Sequence, residues 1–375
     1  ATGRLFSGGN LLLESGGFDQ LGQVVALGDA ALNLINGFTA RNTLAAGNRL
    51  SISSNGAIDN QGTLQGQALT LSAGGDLSNN GQITTGSGDS SLSGNRIALN
   101  GSGTLQGGGN VSLNSRSDIA VDGFTGTLGS LTLSSPGSIV NAALLYAGQN
   151  LALYANSIRN QRGDMLAGNS LWMQGYAAGN ANGEVINTSG TIESQNGDIN
   201  IRTGHLLNTR DGLSTHDEVT QLATPSWANG TNVRIPFTWF KSSDYSQYVS
   251  GTQYHHGHGD DWETHTYSYR PNADVQVQKV AYQSIAVTAT ANGGAGRIAA
   301  GRDLNVQAAQ LDNSASTLLA RNNMALSGDQ LNNQSWTDGT TTVYQIYRYN
   351  GGASSSSFGY TLDGSPVYET TGSGN

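Results

Sequence analysis

The sequence predicts an all-β chain whose main body is a parallel β-helix, and three observations carry that expectation. Short apolar-x-apolar pairs recur at Leu11/Leu13, Leu32/Leu34, Leu50/Ile52, Leu69/Leu71, Ile97/Leu99, Val111/Leu113, Leu131/Leu133, Leu151/Leu153, Leu171/Met173 and Ile199/Ile201, then resume at Leu304/Val306 and Met324/Leu326. Gly and Asn stand at recurring offsets from those pairs. Charged residues make up only 11% of the chain, while glycine supplies 53 of its 375 residues; globular domains usually carry roughly 25% charge.

Each element has a physical reason. Several consecutive pairs lie 19 or 20 residues apart. A three-residue alternation places two side chains on one face of a short strand. One such unit cannot bury its own apolar face, but stacked units share a continuous core. Gly precedes many pairs, as in AAGNRLSIS, YAGQNLALY, LAGNSLWMQ and AAGRDLNVQ. Gly and Asn tolerate left-handed backbone, so they mark the corners between strands. Asn60, Asn79, Asn141, Asn160, Asn208, Asn313 and Asn332 follow the second apolar residue by six to eight positions, a placement that predicts a hydrogen-bonded ladder up the stack. Residues 1–213 would then form about ten coils, at roughly 4.8 Å per layer a length on the order of 50 Å. An α-solenoid is disfavoured, because the Gly-rich windows show no 3.6-residue period and few good helix formers. Irregular spacings, 28 then 14 around Ile97 and 28 before Ile199, predict a loop insertion and a shortened coil.

The pattern stops near residue 214 and returns near Asn292. Between them the composition changes: residues 227–270 hold Trp227, Phe237, Trp239, Phe240, Tyr245, Tyr248, Tyr254, Trp262, Tyr267 and Tyr269, ten of the chain's 26 aromatics. After Trp336 a second Tyr-rich stretch, VYQIYRYNGG then FGYTLDGSPVYE, is β-prone. The predicted organisation is therefore repeats over 1–213, an aromatic insertion over 214–291, resumed repeats over 292–335 and a Tyr-rich β segment over 336–375. The non-repeat segments are expected to extend the sheets or form a small antiparallel layer, since so many dangling aromatics would be costly.

Composition excludes several functions. A net charge of −9 with two lysines, Lys241 and Lys279, leaves no basic patch for a phosphate backbone, so nucleic acid is not an expected partner. Cysteine is absent, which suits a chain exported unfolded. No apolar run approaches the length of a membrane span. The chain opens and closes in mid-pattern (ATGRLF, TTGSGN) and reads as a segment of something longer, a stretch of monomeric filament.

The tandem units, for example NTLAAGNRLSISSNGAIDNQGTLQGQALTLSAGGDLSNNG, resemble the filamentous-haemagglutinin repeats of two-partner-secreted exoproteins of Gram-negative bacteria. The resemblance covers residues 1–213 and 292–335. A repeat array interrupted by a Tyr/Trp-rich segment and then resumed most resembles the middle region of contact-dependent growth-inhibition effectors of the CdiA type. The resemblance implies a right-handed β-helix, export through an outer-membrane partner transporter and display on the cell surface. It also implies recognition, after the first repeat block, of a receptor on the outer membrane of target bacteria. The toxin of that family lies at the far C-terminus, outside this segment.

The stretch QYHHGHGDDWETHTYSY (253–269) gathers four of the six histidines and supports competing readings. His255, His256, His258, Asp260, Asp261 and His265 are competent metal ligands, yet no H-E-x-x-H helix is present, and two glycines favour a loop. GGAGRIAAG (293–301) lacks the Asp of calcium-binding nonapeptides. Polysaccharide-degrading β-helix enzymes use paired carboxylates, and Asp217, Glu218, Asp260, Asp261 and Glu263 are the candidates; adjacent Asp260 and Asp261 would face opposite ways on a strand. No nucleophile elbow or phosphate loop is present. The reading carried forward is a non-catalytic, metal-free and cofactor-free contact surface of Tyr254, Trp262, Tyr267 and Tyr269 rimmed by His255, His256 and Asp260, because rigid aromatics with polar tips suit interfaces. Its partner would be an outer-membrane protein or a surface glycan such as lipopolysaccharide. Against it stands a structural spacer whose aromatics merely cap the repeats; Trp172, Trp239 and Phe240 are as readily core as contact.

Overall fold

A computed structural model describes residues 3–336 and 338–372. It divides into two compact units. The first runs up to Leu213 and resumes from Ala291 to Ser335; the second comprises Ser214 to Thr290 and the chain from Trp336 onward. Among the described residues there is no α-helix.

The first unit is a parallel β-helix. A representative coil has three short strands, Thr43–Ala46, Arg49–Ser54 and Ile58–Asn60, and the next repeats them at Thr63–Gly66, Ala68–Ala73 and Leu77–Asn79. Pairing is parallel and in register: Leu44 faces Leu64, Leu50 faces Leu69, Ile52 faces Leu71 and Ile58 faces Leu77. Each column of apolar residues thereby points inward at every level. Together they form one unbroken core running from Val24 to Leu311. Complete burial of each such Leu or Ile contributes roughly 1.5–3 kcal/mol, which no isolated coil could collect.

Two repeat assignments are corrected by the register. The second coil contributes Ala30/Leu32 rather than Leu32/Leu34, since Ala30 faces Leu11 and Leu50 while Leu32 faces Leu13 and Ile52. Ile97/Leu99 does not occupy the column of Leu69/Leu71; it stacks on Leu77/Asn79 in the following strand of the coil. The true member is Ser90/Leu92, with Leu92 between Leu71 and Leu113. The shortened coil therefore disappears. It arose because Ser90 replaces the first apolar residue of that pair and hid it. The longer spacing before Ile199 is a real insertion, the loop of residues 175–181 between Leu171–Gln174 and Asn182–Thr188.

The asparagine ladder is present but not as enumerated. Asn60 donates to Asn79, and a longer run links Asn141, Asn160, Asn187, Asn208, Asn313 and Asn333 at 2.8–3.0 Å. Asn333, not Asn332, is the last rung; Asn332 faces outward and donates to Asp312 at 2.7 Å. Between the two runs, Leu99 and Val121 fill the same column with apolar side chains.

The aromatic insertion does not interrupt this core. Ile199–Asn208 pairs directly with Leu304–Asn313, and Thr191–Ser194 with Arg297–Ala300. Two ion pairs, Glu193–Arg297 and Asp198–Arg302, and a His205–Asp312 hydrogen bond at 2.7 Å also span the joint. At the exit corner the Asp211 carbonyl accepts the N–H groups of both Asn292 and Gly293, and Gly212 takes a φ of 62°, so the departing and returning chains are clamped side by side.

The second unit is a five-stranded antiparallel sheet in the order Ser214–Gln221, Val277–Thr290, Gly339–Ala353, Ser357–Gly372, Asn232–Pro236. The two Tyr-rich segments thus pair with each other. Val277–Thr290 lies against Gly339–Ala353, and Asn232–Pro236 closes on Ser357–Thr361. Its core gathers Trp227, Val233, Ile235, Val280, Tyr347, Phe358 and Tyr360. Phe240 packs on Phe358 and Tyr360. Trp239 stays exposed, edge-on to Trp227, and its indole N–H donates to Gln278 at 3.1 Å. Trp172 is not core either: it lies on the outer face of the β-helix between inward-facing Leu171 and Met173.

Candidate functional site

The histidine-rich stretch forms the end of a two-stranded hairpin, Tyr245–His256 paired with Asp261–Pro271. Its strands are rich in Tyr and Thr, with Val249 and Trp262 among them, residue types that favour pleated backbone. Residues 257–260 make the tip. Gly259 takes a φ of 132°, open to glycine and little else. A Cβ at Gly257 would meet the Asp260 carbonyl at 2.7 Å.

An isolated hairpin is marginal in water, and this one is anchored at one end by aromatic packing. The Phe237 ring stacks on Tyr245 (centroids 4.8 Å), meets Tyr269 edge-on (5.2 Å) and contacts Phe358 (4.7 Å). Asn272 ties the same end through its backbone N–H to the Asp244 carbonyl and its side chain to the Ser243 carbonyl. Tyr269, expected among the contact residues, is drawn into this cluster because it lies at the anchored end and faces Phe237 and Tyr245. Burial in the same unit pushes the Tyr347, Tyr349 and Tyr360 phenols above the usual tyrosine range.

The far end is its opposite. Tyr254, Trp262 and Tyr267 are 69%, 54% and 52% exposed. Alternation assigns Tyr254, His256, Asp261, Glu263, His265 and Tyr267 to one face and His255 with Trp262 to the other. On the first face His256 Nδ1 lies 3.1 Å from Asp261 Oδ1, and Thr252 Oγ1 lies 3.2 Å from His265 Nδ1. On the second the His255 ring stacks on the Trp262 indole at 5.2 Å, 13° from parallel. Asp260 and His258 sit exposed at the tip. A bulge between Val249 and Gly251 shifts the register, keeping Val249 opposite Tyr267; exposed Tyr248 and Val249 extend the apolar surface and were not among the expected contacts. The bulge that decides their faces leaves no sequence mark beyond Gly251.

The split of the histidines between two faces decides their chemistry. His255 and His256 cannot converge on one ion. Among the described residues no group of three or more His, Asp or Glu side chains is arranged to hold a metal. The hairpin offers exposed aromatic area on both faces, Tyr254 and Tyr267 on one and Trp262 on the other, with polar groups beside each, which suits contact with another surface.

The haemagglutinin-repeat model matches residues 1–81, 83–135, 126–171, 175–224 and 272–343, most of the chain. Among curated relatives, the tRNA nuclease CdiA of Escherichia coli O6:K15:H31 is 48% identical over 93% of this chain and 11% of its own length. The deoxyribonuclease CdiA of Dickeya dadantii is 39% identical over 92% of this chain and 10% of its own. The 16S rRNA endonuclease CdiA of Enterobacter cloacae subsp. cloacae is 41% identical over 84% of this chain and 10% of its own. The chain thus spans about a tenth of the length of these relatives. No solved structure matches it. With the repeat model covering both coil blocks and the three-stranded coils in register, the chain belongs to the haemagglutinin-repeat family, as a region similar to the repeat-bearing part of CdiA proteins.

Proposed function

We propose that this chain is part of the surface-displayed stalk of a contact-dependent growth-inhibition exoprotein, and that the hairpin of residues 245–271 recognises a receptor on the target cell's outer membrane. The observation that carries the reading is the division of the hairpin: aromatics at the anchored end are packed, whereas Tyr254, Trp262 and Tyr267 project into solvent from its far end. Exposed aromatic clusters on rigid elements are characteristic of binding surfaces. His255, His256 and Asp260 rim that surface, and Tyr269 serves as its anchor.

The relatives support the same division of labour. They are named for cleaving tRNA, DNA and 16S rRNA, yet share this region at 39–48% identity. A segment common to nucleases of different specificity fits delivery better than cleavage, so the chain itself is proposed to be non-catalytic. The same relationship supports secretion through an outer-membrane partner transporter.

The test is a chain carrying Tyr254→Ser, Trp262→Ser and Tyr267→Ser together, compared with the parent for binding to target bacteria. A drop of tenfold or more is expected, with unchanged circular dichroism. Undiminished binding would reject hairpin recognition and leave the spacer reading. Binding lost only on cells stripped of surface polysaccharide would move the partner from protein to glycan.

A further inference from the structure

The insertion before Ile199 does more than lengthen a coil. Thr132, Ala152, Trp172, Asn200, Asn305 and Ala325 stand in one outward-facing column, each in register with the next. The loop of residues 175–181 rises beside this column, and the two enclose a cleft of about 800 Å³ that also takes in Tyr154, Gln174 and Arg202. The wall is fixed in advance. Gly175 N–H donates to the Asn180 carbonyl, Gln174 Nε2 to the Tyr176 carbonyl at 2.7 Å, and the Arg202 guanidinium to the Gly179 carbonyl at 3.1 Å.

We propose that this cleft binds an extended oligosaccharide. Trp172 and Tyr154 are half-buried and offer aromatic area on which the C–H face of a sugar ring can lie. Burial already raises the Tyr154 phenol above its usual range, so its hydroxyl stays a neutral donor. Asn305 donates to Asn200 Oδ1 at 3.1 Å, which leaves the Asn200 amide hydrogens and the Asn305 Oδ1 as adjacent donor and acceptor, the complement of neighbouring hydroxyls. Successive rungs are roughly 4.8 Å apart, close to the length of one sugar unit, so polar groups recur in step with a linear glycan. A peptide fits less well: the floor strands from Leu131–Ser134 to Leu304–Ser314 are paired on both sides, and the open edge of the last, Met324–Ser327, faces along the coil axis rather than into the cleft. No acidic residue lines the cleft, whereas glycoside cleavage needs a carboxylate pair. The cleft therefore binds without hydrolysing.

The experiment measures binding of the intact chain to three immobilised probes: polysaccharide released from lipopolysaccharide, glycan strands released from cell wall, and a neutral glucan. Saturable binding to at least one is expected, and the probe bound identifies the source. Trp172→Ala and the exposed-site filler Ala325→Arg should each weaken it at least tenfold with unchanged circular dichroism. The Tyr254/Trp262/Tyr267 triple variant should bind the sugar normally, which separates this cleft from the hairpin. No binding to any probe, or full binding by both cleft variants, would overturn the proposal.

Discussion

At Asn160 the side-chain amide donates to Asn187 Oδ1 and to the Gly163 carbonyl, while its Oδ1 accepts from Asn141. The residue is 1% exposed, so water cannot replace any of these partners. Removing it strands a carbonyl at the corner and one group on each neighbouring asparagine. Leaving a buried polar group unsatisfied costs about 1–3 kcal/mol, and Asn160→Ala should destabilise the coils by that order. Because a repeat array need not unfold in one step, hydrogen exchange around residues 141–190 is the suitable measurement; protection equal to the parent's would refute the ladder's contribution. The sequence showed that asparagines recur, but not which of two neighbours points inward. Asn332 and Asn333 are adjacent and chemically identical, and only strand register separates the ladder rung from the outward partner of Asp312. Asn187 escaped notice because no apolar pair stands at the usual distance before it.

Among the elements, the joint between Ile199–Thr209 and Leu304–Ser314 determines whether the β-helix survives its interruption. Asp198 is held below the usual carboxylate range by the Arg302 guanidinium, which contacts both its oxygens at 2.7 Å. Burial pushes the Asp312 carboxyl up, but hydrogen bonds from Asn332, His205 and Gln310 together bring it below its ordinary value. Glu184, bound by Ser157 and Arg159, is lowered as well. A carboxylate with a depressed folded pKa contributes its stability in full above the unfolded value, near 4, and loses it as pH falls through the folded one. The β-helix should therefore hold constant stability between pH 5 and 7 and weaken below about pH 4. Denaturant midpoints across that range provide the check, and a flat profile down to pH 3 would exclude a stabilising role for these groups. Strands of the coils were legible because period and alternation are local signals. A small antiparallel layer was among the expectations, but its strand pairing was not legible: Val233 lies opposite Tyr360 and Ile285 opposite Thr341, and antiparallel partners so distant share no periodicity. The aromatic stretch was visible as a candidate surface, but the packing of Tyr269 depended on which end of the hairpin is anchored.

For the molecule as a whole, the pairing of the two Tyr-rich segments changes how the insertion must be removed. Excising residues 214–290 alone would leave Gly339–Ala353 and Ser357–Gly372 without their neighbours and expose Val343, Tyr347, Phe358 and Tyr360, all now buried. That variant should aggregate. Joining Leu213 to Ala291 and also ending the chain at Ser335 should give a soluble β-helix, because Asp211 already holds Asn292 and the core is continuous across the joint. Size-exclusion chromatography with circular dichroism distinguishes the two outcomes; a soluble single excision and an aggregated double one would contradict the arrangement.

The position of the resumed coils also sets an order in time. They lie in sequence between the two halves of the antiparallel sheet. A chain emerging gradually, whichever end leads, must release residues 291–335 before the second half of that sheet is available. Long-range pairings close late in any case, and here the coils between them are free to stack first. When the N-terminal end leads, completion of the aromatic hairpin's anchor, which requires Phe358, is thereby delayed until the coils on both sides of the joint have emerged. The proposed recognition surface would then be completed only after the solenoid has grown past the joint.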